Sequence, residues 1–165
     1  MPVEIERRFV VRADPRLLRD AERIPLRQGY LTVRDATTVR IRQEGARWVL
    51  AVKADAGGIA RHEIEVEVPE SDGRELLALA IGGSVEKTRH LVERWEIDVY
   101  EGRYAGLVVA EVELASEDEP LPPVPDGLEL VREITREIGL SARGLAALDA
   151  AAAAALVGRL NAGGR

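Results

Sequence analysis

The stretch VEIERRF, residues 3–9, decides how the rest of the chain is interpreted. As a β-strand it would place Glu4, Glu6 and Arg8 on one face and its apolar residues on the other, because successive side chains of a strand alternate. Neighbours on that face lie about 7 Å apart. Two carboxylates at that spacing repel each other unless a counter-ion lies between them. This strand therefore predicts a buried cation or a charged ligand beside the two glutamates.

The same alternation of charged and apolar residues recurs in the later apolar segments. On each predicted strand the charged residues occupy alternate positions and so share one face. They are Arg40 and Arg42, Lys53, Glu63 and Glu65, Lys87 and Arg89, Glu96 and Asp98, and Glu111 and Glu113. An antiparallel sheet with one solvated face also alternates, but these faces carry almost only formal charge. A closed barrel with a charged, ligand-filled lumen would satisfy every strand at once, and the apolar parity would then face outward under the helices.

Composition limits the classes of function. The chain has 165 residues, 46% of them apolar and 32% charged, which is typical of one globular domain. No uninterrupted apolar stretch is long enough for a membrane span, and the charges from Glu4 onward argue against a secretory signal. With no cysteines, thiolate metal sites and cysteine nucleophiles are excluded, and we expect a cytoplasmic protein. The net charge of −6 and 4% aromatic content argue against a nucleic-acid partner.

The order of predicted elements is α+β, with about eight mostly antiparallel strands and a few helices. We expect a helix over 14–24, a hairpin with its turn at 44–47, a second helix over 71–83, and strands over 85–102 and 107–115. We also expect helices over 129–139 and 143–160. The predicted organisation is a single domain over 1–165, with the main barrel in 1–116, a Pro-rich loop in 117–127 and a helical segment in 128–165.

The charged set has the chemistry needed for phosphoryl transfer. Six cations could bind a polyanion rich in phosphate oxygens, namely Arg8, Arg40, Arg42, Lys53, Lys87 and Arg89. Paired carboxylates suit hard divalent ions such as Mg²⁺ or Mn²⁺. Lys53 and Lys87 are the only lysines among 23 basic residues, which singles them out. The sequence contains no Gly-rich phosphate loop of the G-x-x-x-x-G-K-[ST] type, and His62 and His90 are interpreted as strand or surface residues.

Eight short motifs, taken together and in order, resemble those of the CYTH superfamily, the triphosphate tunnel metalloenzymes, over residues 3–115. They are EIERRF, LRQGYL, VRIR, VK, EIEVEV, EKTR, EIDVY and EVE. The chain is most similar to the short bacterial branch, whose members are mainly inorganic triphosphatases. The resemblance implies an eight-stranded antiparallel tunnel that binds a triphosphate and one or two Mg²⁺ or Mn²⁺ ions.

The resemblance also implies roles for individual residues. Glu4, Glu6, Glu111 and Glu113 would hold the metal, and Asp98 would belong to the same acidic lumen. Glu63 and Glu65 would support a second metal or orient the attacking water. Tyr30 matches a tyrosine of the short bacterial branch and is a candidate catalytic residue, as is Arg8, while Arg40, Arg42, Lys53, Lys87 and Arg89 would bind phosphate oxygens.

The chain departs from the family pattern in two places. Arg8 stands where E-x-E-x-K has lysine, and since the charge is kept we expect Arg8→Lys to retain or raise activity. Gly139 and Leu140 stand where arginine and tyrosine are expected in a segment that closes one end of the tunnel.

Several functions remain open beside inorganic triphosphatase. One is a class IV adenylyl cyclase, for which no adenine pocket is found. Another is a thiamine triphosphatase, which would need an aromatic such as Trp48 or Trp95 to stack on its substrate. A third is a non-catalytic sensor of triphosphate or polyphosphate. The predicted partner is a small-molecule triphosphate, with no membrane or nucleic acid, and a homodimer is left open.

Overall fold

A computed structural model describes residues 3–34 and 37–162. Within these residues the strands and helices are β1 (Val3–Ala13), α1 (Pro15–Asp20), β2 (Glu22–Arg34), β3 (Thr37–Glu44), β4 (Arg47–Gly57), β5 (Ala60–Val68), α2 (Glu70–Ala78), β6 (Ile81–Val92), β7 (Trp95–Tyr100), β8 (Val108–Glu113), β9 (Leu128–Glu133), α3 (Ala142–Ala146) and α4 (Ala150–Ala162). Short 3₁₀ turns cover Gly102–Tyr104 and Ile138–Leu140. None of the described helices is long and apolar enough to cross a membrane.

Eight of the strands form a closed ring. Their order is β5-β4-β3-β2-β6-β7-β8-β1, and β1 pairs back onto β5 to close it. Every pairing is antiparallel, and the closing contact joins residues 3–5 of β1 to residues 60–62 of β5. The ninth strand, β9, lies outside the ring and pairs with the second half of β1. The predicted eight-stranded antiparallel barrel is therefore confirmed, with a few helices around it.

Local signals in the sequence explain several element boundaries. The predicted turn at 44–47 joins β3 to β4, and Gly45 there has φ of 58°, a conformation that favours glycine. Helix α1 begins after Asp14, whose carboxylate accepts a hydrogen bond from the amide of Arg16 at 2.7 Å. This helix ends at Asp20, earlier than predicted, because β2 already begins at Glu22 to pair with β6.

The outer face of the barrel is covered by helices and by the Pro-rich loop. Trp95 packs edge-on against Phe9, with ring centroids 5.9 Å apart, and its indole Nε1 donates to the carbonyl of Pro123 at 2.9 Å. The predicted loop over 117–127 contains neither helix nor strand and lies across this cluster. On α2, Gly73 allows close contact with the ring of Trp48. Part of the outer face of β5 is not covered, since the outward side chains of Ile64 and Val66 are half exposed.

One end of the barrel is closed by residues 134–146, which we call the closing segment. Leu140 and Leu145 of this segment are buried in one apolar cluster with Tyr30, Tyr100 and Val85 from the barrel strands. The hydroxyl of Tyr104 donates to the carbonyl of Leu145. Helix α4 completes the cluster with Ala153 and Val157. The barrel is thus a cup with a polar wall and an apolar base.

The C-terminal prediction needs correction. Residues 128–133 form strand β9, where the sequence indicated helical structure from 129. Strand β5 pairs only with residues 3–5 of β1, so the same edge of β1 is free over residues 9–13 and β9 occupies it. The helix predicted over 143–160 is two helices, because the Asp149 carboxylate accepts a hydrogen bond from the amide of Ala152 at 2.8 Å and begins a new helix.

Candidate functional site: the charged lumen

The lumen consists of two overlapping cavities, of about 470 and 610 Å³. With one exception, all the site residues predicted from the sequence line them. These are Glu4, Glu6, Arg8, Tyr30, Arg40, Arg42, Lys53, Glu63, Glu65, Lys87, Arg89, Glu111 and Glu113. The exception is Asp98, which is fully buried in ion pairs with Lys87 and Arg89. The alternation in the sequence therefore predicts the lining of the lumen well, although no residue role follows from position alone.

Arg40 and Arg42 lie side by side on β3 and share one carboxylate. Their Nη2 atoms are 3.2 and 3.4 Å from Oε1 of Glu65. The Nε of each guanidinium is buried without a hydrogen-bond partner. Desolvation, followed by repulsion from Arg40, lowers the pKa of Arg42. Two adjacent buried cations with unused donors indicate a site for an anion, which would relieve both the repulsion and the lost solvation.

Lys53 connects two carboxylates on opposite sides of the closing contact. Its Nζ lies 2.6 Å from Oε2 of Glu4 on β1 and 3.2 Å from Oε1 of Glu63 on β5. Because β1 and β5 are joined only by residues at their ends, this ion-pair bridge holds the two strands together where the ring closes. It also keeps the ammonium in the lumen, where an incoming anion could replace either carboxylate.

A second basic pair is anchored from behind by Asp98. The guanidinium of Arg89 donates to both oxygens of Asp98, each at 2.8 Å, and Lys87 forms an ion pair with the same carboxylate. Burial lowers the pKa of Lys87, and the charge of Asp98 is the largest opposing effect. Both oxygens of Asp98 are thus bonded to cations. These contacts are those of a residue that holds the side chains of Lys87 and Arg89 in place.

The carboxylates on the opposite wall are crowded together. Glu6 and Glu113 stand directly opposite each other on β1 and β8, and Glu96 stands opposite Glu111 on β7 and β8. Like charges in such cross-strand pairs are destabilising. Desolvation, then repulsion from Glu111 and Glu4, raises the pKa of Glu6. Its cationic contact is distant, with 3.9 Å between Oε1 and Nη1 of Arg61. Negative charge is therefore concentrated at the Glu6–Glu113 pair of the β1–β8 contact.

Glu111 differs from Glu6 because it has close cationic partners. Its Oε1 accepts from Nε of Arg8 at 3.0 Å, and its Oε2 accepts from Nη2 of Arg89 at 2.9 Å. Burial alone would raise the pKa of Glu111, but Lys87, Arg8 and Arg89 together hold it well below the usual range. Glu111 is therefore a fixed, ionised carboxylate next to the crowded Glu6.

We tested whether these carboxylates fit a divalent metal. In the described ranges no three acidic or histidine side chains already stand close enough to form a ligand set. The donor chemistry nevertheless fits, since carboxylate oxygens are the ligands that Mg²⁺ and Mn²⁺ prefer. The raised pKa of Glu6 beside Glu4 and Glu111 also reflects an unbalanced negative charge. Glu4, Glu6, Glu111 and Glu113 are the residues that could hold such an ion.

Of the other residues discussed from the sequence, Tyr30 lies in the lumen, whereas Trp48, Trp95 and His90 lie outside it. Tyr30 lines the cavity, and its hydroxyl accepts from Nε2 of Gln28 at 3.5 Å. Both tryptophans are buried on the outside of the barrel, so neither can stack on a ligand in the lumen. His90 contacts the carbonyl of Leu18 through Nδ1 at 2.8 Å, outside the lumen.

Sequence reasoning missed several lining residues. Arg61 shares the parity of Glu63 and Glu65 on β5, so the alternation could have identified it, whereas Glu96 was part of the predicted alternation but was given no role. Gln28 lies two residues before Tyr30 and follows the same parity. Thr135, Arg136, Glu137 and Ser141 come from the closing segment, which the family resemblance placed at one end of the tunnel without singling out these four residues.

The fold and the lumen together define a closed β-barrel with an internal cavity lined by ion pairs. The CYTH domain model matches residues 2–147. The chain therefore belongs to the CYTH family, in which dependence on divalent metal ions is general.

Two relatives and two solved structures show how similar the chain is to known proteins. It is 36% identical over 141 residues to the inorganic triphosphatase of Nitrosomonas europaea, covering 79% of this chain and 90% of the relative. It is 35% identical over 123 residues to the inorganic triphosphatase of Acetivibrio thermocellus, covering 72% of this chain and 78% of the relative.

Among solved structures, an inorganic triphosphatase crystal structure matches with a TM-score of 0.60 and 32% identity, covering 88% of this chain and 99% of that one. A protein from Pyrococcus furiosus matches with a TM-score of 0.54 and 17% identity, covering 70% and 80% of the two chains. At that identity the second match supports the fold alone.

Proposed function

We propose that the protein hydrolyses inorganic triphosphate to pyrophosphate and phosphate in the lumen, with Mg²⁺ or Mn²⁺ as cofactor. The observation that carries the proposal is that one lumen holds both unused cationic donors and crowded carboxylates. The buried Nε atoms of Arg40 and Arg42 have no hydrogen-bond partner, and Glu6 stands opposite Glu113 on the neighbouring strand. Relatives named inorganic triphosphatase, at 35–36% identity over most of the chain, support the same activity.

The balance of charge favours a metal-bound polyanion over a free one. The residues that line the two cavities comprise nine cations and nine carboxylates, so a triphosphate alone would make the lumen strongly negative. A triphosphate that enters with divalent ions keeps the lumen near balance. Glu4, Glu6, Glu111 and Glu113 would hold the ion, which when bound would polarise phosphate oxygens and lower the pKa of a water.

The basic residues would hold the substrate. Arg40 and Arg42 have donors available for the oxygens of one phosphoryl group, and Lys53, Lys87 and Arg89 would bind the others. As the P–O–P bond breaks, negative charge grows on the leaving oxygen, and preorganised guanidinium and ammonium groups stabilise that charge. Asp98, committed to Lys87 and Arg89, would act by fixing these two cations rather than by binding metal.

Glu63 and Glu65 would orient the attacking water. Oε1 of Glu63 is buried and ion-paired, at 3.2 Å from Nζ of Lys53 and 3.5 Å from Nη2 of Arg40, but it accepts no well-aligned hydrogen bond. A carboxylate in that position can accept a hydrogen bond from water beside a bound phosphoryl group. Tyr30, at the inner end of the cavity, would donate a hydrogen bond to a phosphate oxygen.

The alternatives differ in their substrates. A thiamine triphosphatase would need an aromatic stacking partner, and neither tryptophan reaches the lumen. A sensor would bind triphosphate without turnover. One experiment separates these functions: phosphate release from inorganic triphosphate, ATP and thiamine triphosphate, each with Mg²⁺, Mn²⁺ or EDTA, and cyclic AMP measured for ATP. We expect EDTA-sensitive release from inorganic triphosphate above all. Binding without turnover on any substrate would establish the sensor instead.

The metal assignment has its own test. Glu6→Gln keeps the shape of the side chain but removes its charge, so we expect loss of turnover and weaker Mn²⁺ binding in calorimetry. Glu4→Gln is expected to behave in the same way. Glu129→Gln on the outer strand β9 is the matched control and should change neither. Full activity in both lumen variants would refute the assignment.

A further inference from the structure

Arg8 makes contacts that differ from those of the other cations in the lumen. Its side chain is 3% exposed, and two of its donors are already occupied. Nε donates to Oε1 of Glu111 at 3.0 Å, and Nη2 donates to the backbone carbonyl of Leu140 at 2.8 Å. One guanidinium therefore joins a carboxylate of the lumen to the closing segment.

The backbone of Arg8 is joined to the same region. Its amide donates to Oγ1 of Thr135 at 3.1 Å, and its carbonyl accepts from the amide of Ile134 at 2.8 Å. The start and the middle of the closing segment thus both bond to one residue of β1. Because Leu140 is also buried in the apolar cluster, the Arg8 contact fixes the segment at a point where it cannot easily move.

Of the two departures from the family pattern, Arg8 acts at this contact through its side chain, because Leu140 contributes only its backbone carbonyl. A planar guanidinium presents diverging donors to two acceptors at once, whereas the donors of lysine radiate from one nitrogen. The arginine is suited to a bridge that a lysine at the same position would make less well.

We propose that Arg8 is a positioning residue that couples the closing segment to the orientation of Glu111, rather than a ligand of the substrate phosphates. This inference rests on the proposed function. Glu111 is held between Arg8 on one oxygen and Arg89 on the other. With the Arg8 contact gone, Glu111 can rotate toward Arg89, and the carboxylate wall loses its arrangement around Glu6.

The proposal reverses the expectation drawn from charge alone. If only the charge mattered, Arg8→Lys would keep activity. With the bridge, we expect kcat to fall on the order of tenfold, the effect of losing a charge-assisted hydrogen bond. The KM for triphosphate should stay within about twofold, because no phosphate contact is removed. Amide hydrogen exchange of residues 134–146 should accelerate in the same variant.

Two further variants make the test specific. Arg7→Lys is the matched control: Arg7 lies one residue away, and its ion pair with Glu133 is on the outer surface, so kinetics and exchange should not change. Leu145→Val loosens the closing segment without altering any lumen charge, since Leu145 is fully buried in the apolar cluster. Leu145→Val should lower kcat in the same way. The kcat of the double variant Arg8→Lys/Leu145→Val should be no lower than that of the less active single variant.

Each other outcome overturns the proposal. A rise in KM for triphosphate with unchanged kcat would make Arg8 a phosphate ligand. A fall in kcat with normal exchange of the closing segment, or full kcat in Leu145→Val despite faster exchange, would remove the coupling. If the unmodified protein does not hydrolyse triphosphate, the proposed function fails, but exchange and Mn²⁺ titration of the same variants still test the bridge. We expect weaker Mn²⁺ binding in Arg8→Lys. Unchanged Mn²⁺ binding together with unchanged amide exchange of residues 134–146 would refute the bridge.

Discussion

Replacing Asp98 by asparagine should cost far more stability than any exposed charge of the barrel. The side chain is fully buried and neutralises two buried cations, Lys87 and Arg89. Removing one partner of a buried ionic group typically costs about 3–5 kcal/mol, because it leaves uncompensated charge in a poorly solvated place. For a chain of this size that corresponds to a fall of about 6–20 °C in Tm.

The matched control is Glu96→Gln on the same strand. Glu96 forms an ion pair with the same Arg89, and the substitution is the same acid-to-amide change, but its side chain is 44% exposed. Solvent screening limits an exposed pair to about 0.2–1 kcal/mol. Urea unfolding followed by circular dichroism at pH 7 measures both variants. The reasoning is refuted if Asp98→Asn loses no more stability than Glu96→Gln.

The Asp98 variant also tests the role of this residue in the site. If Asp98 fixes cations, Mn²⁺ affinity should be unchanged within about twofold, since no metal ligand is lost. Triphosphate should raise the Tm of Asp98→Asn more than that of the unmodified protein, because the substrate neutralises the cations that the substitution leaves unpaired. Loss of Mn²⁺ binding with normal stability would instead support the original assignment of Asp98 to the metal.

Three other outcomes follow from the structure. Gly73→Ala places a Cβ 2.4–2.6 Å from ring atoms of Trp48, so overpacking should outweigh the gain in helix propensity and lower the free energy of unfolding by about 1–2 kcal/mol; equal stability in urea would contradict this. The hydrogen bond from Arg7 lowers the pKa of Glu133, so its stabilising effect should be present above the usual carboxylate pKa and disappear as pH falls through the lowered one. As the pair is partly exposed, Glu133→Gln should lose less than about 1 kcal/mol at pH 7, and a difference that persists at pH 2 would count against the pair. Adding Mg²⁺ with triphosphate should raise Tm by more than the sum of the two separate shifts, and merely additive shifts would show that the two bind independently.

Alternation along the strands determined most of the lumen. A strand that carries charge at every second position must present it to one side, so twelve predicted charged residues line the lumen once the ring closes, and Tyr30, predicted from the resemblance, lines it too. The ordered motifs also identified the family over most of the chain. Turn and cap positions such as Gly45 and Asp14 were readable because each acts through residues a few positions away.

What the sequence could not determine depends on contacts between distant residues. Residues 128–133 look helical in isolation, but the free edge of β1 makes them a strand. Asp98 has the parity of a lining residue, but its side chain is buried in ion pairs with Lys87 and Arg89 and does not reach the cavity surface. From the sequence, Arg8 is predicted to be one more phosphate ligand. In the structure one of its guanidinium donors is bonded to the backbone carbonyl of Leu140, 132 positions further along the chain. Local periodicity decides which face a side chain is on, whereas its partner there is decided only by tertiary packing.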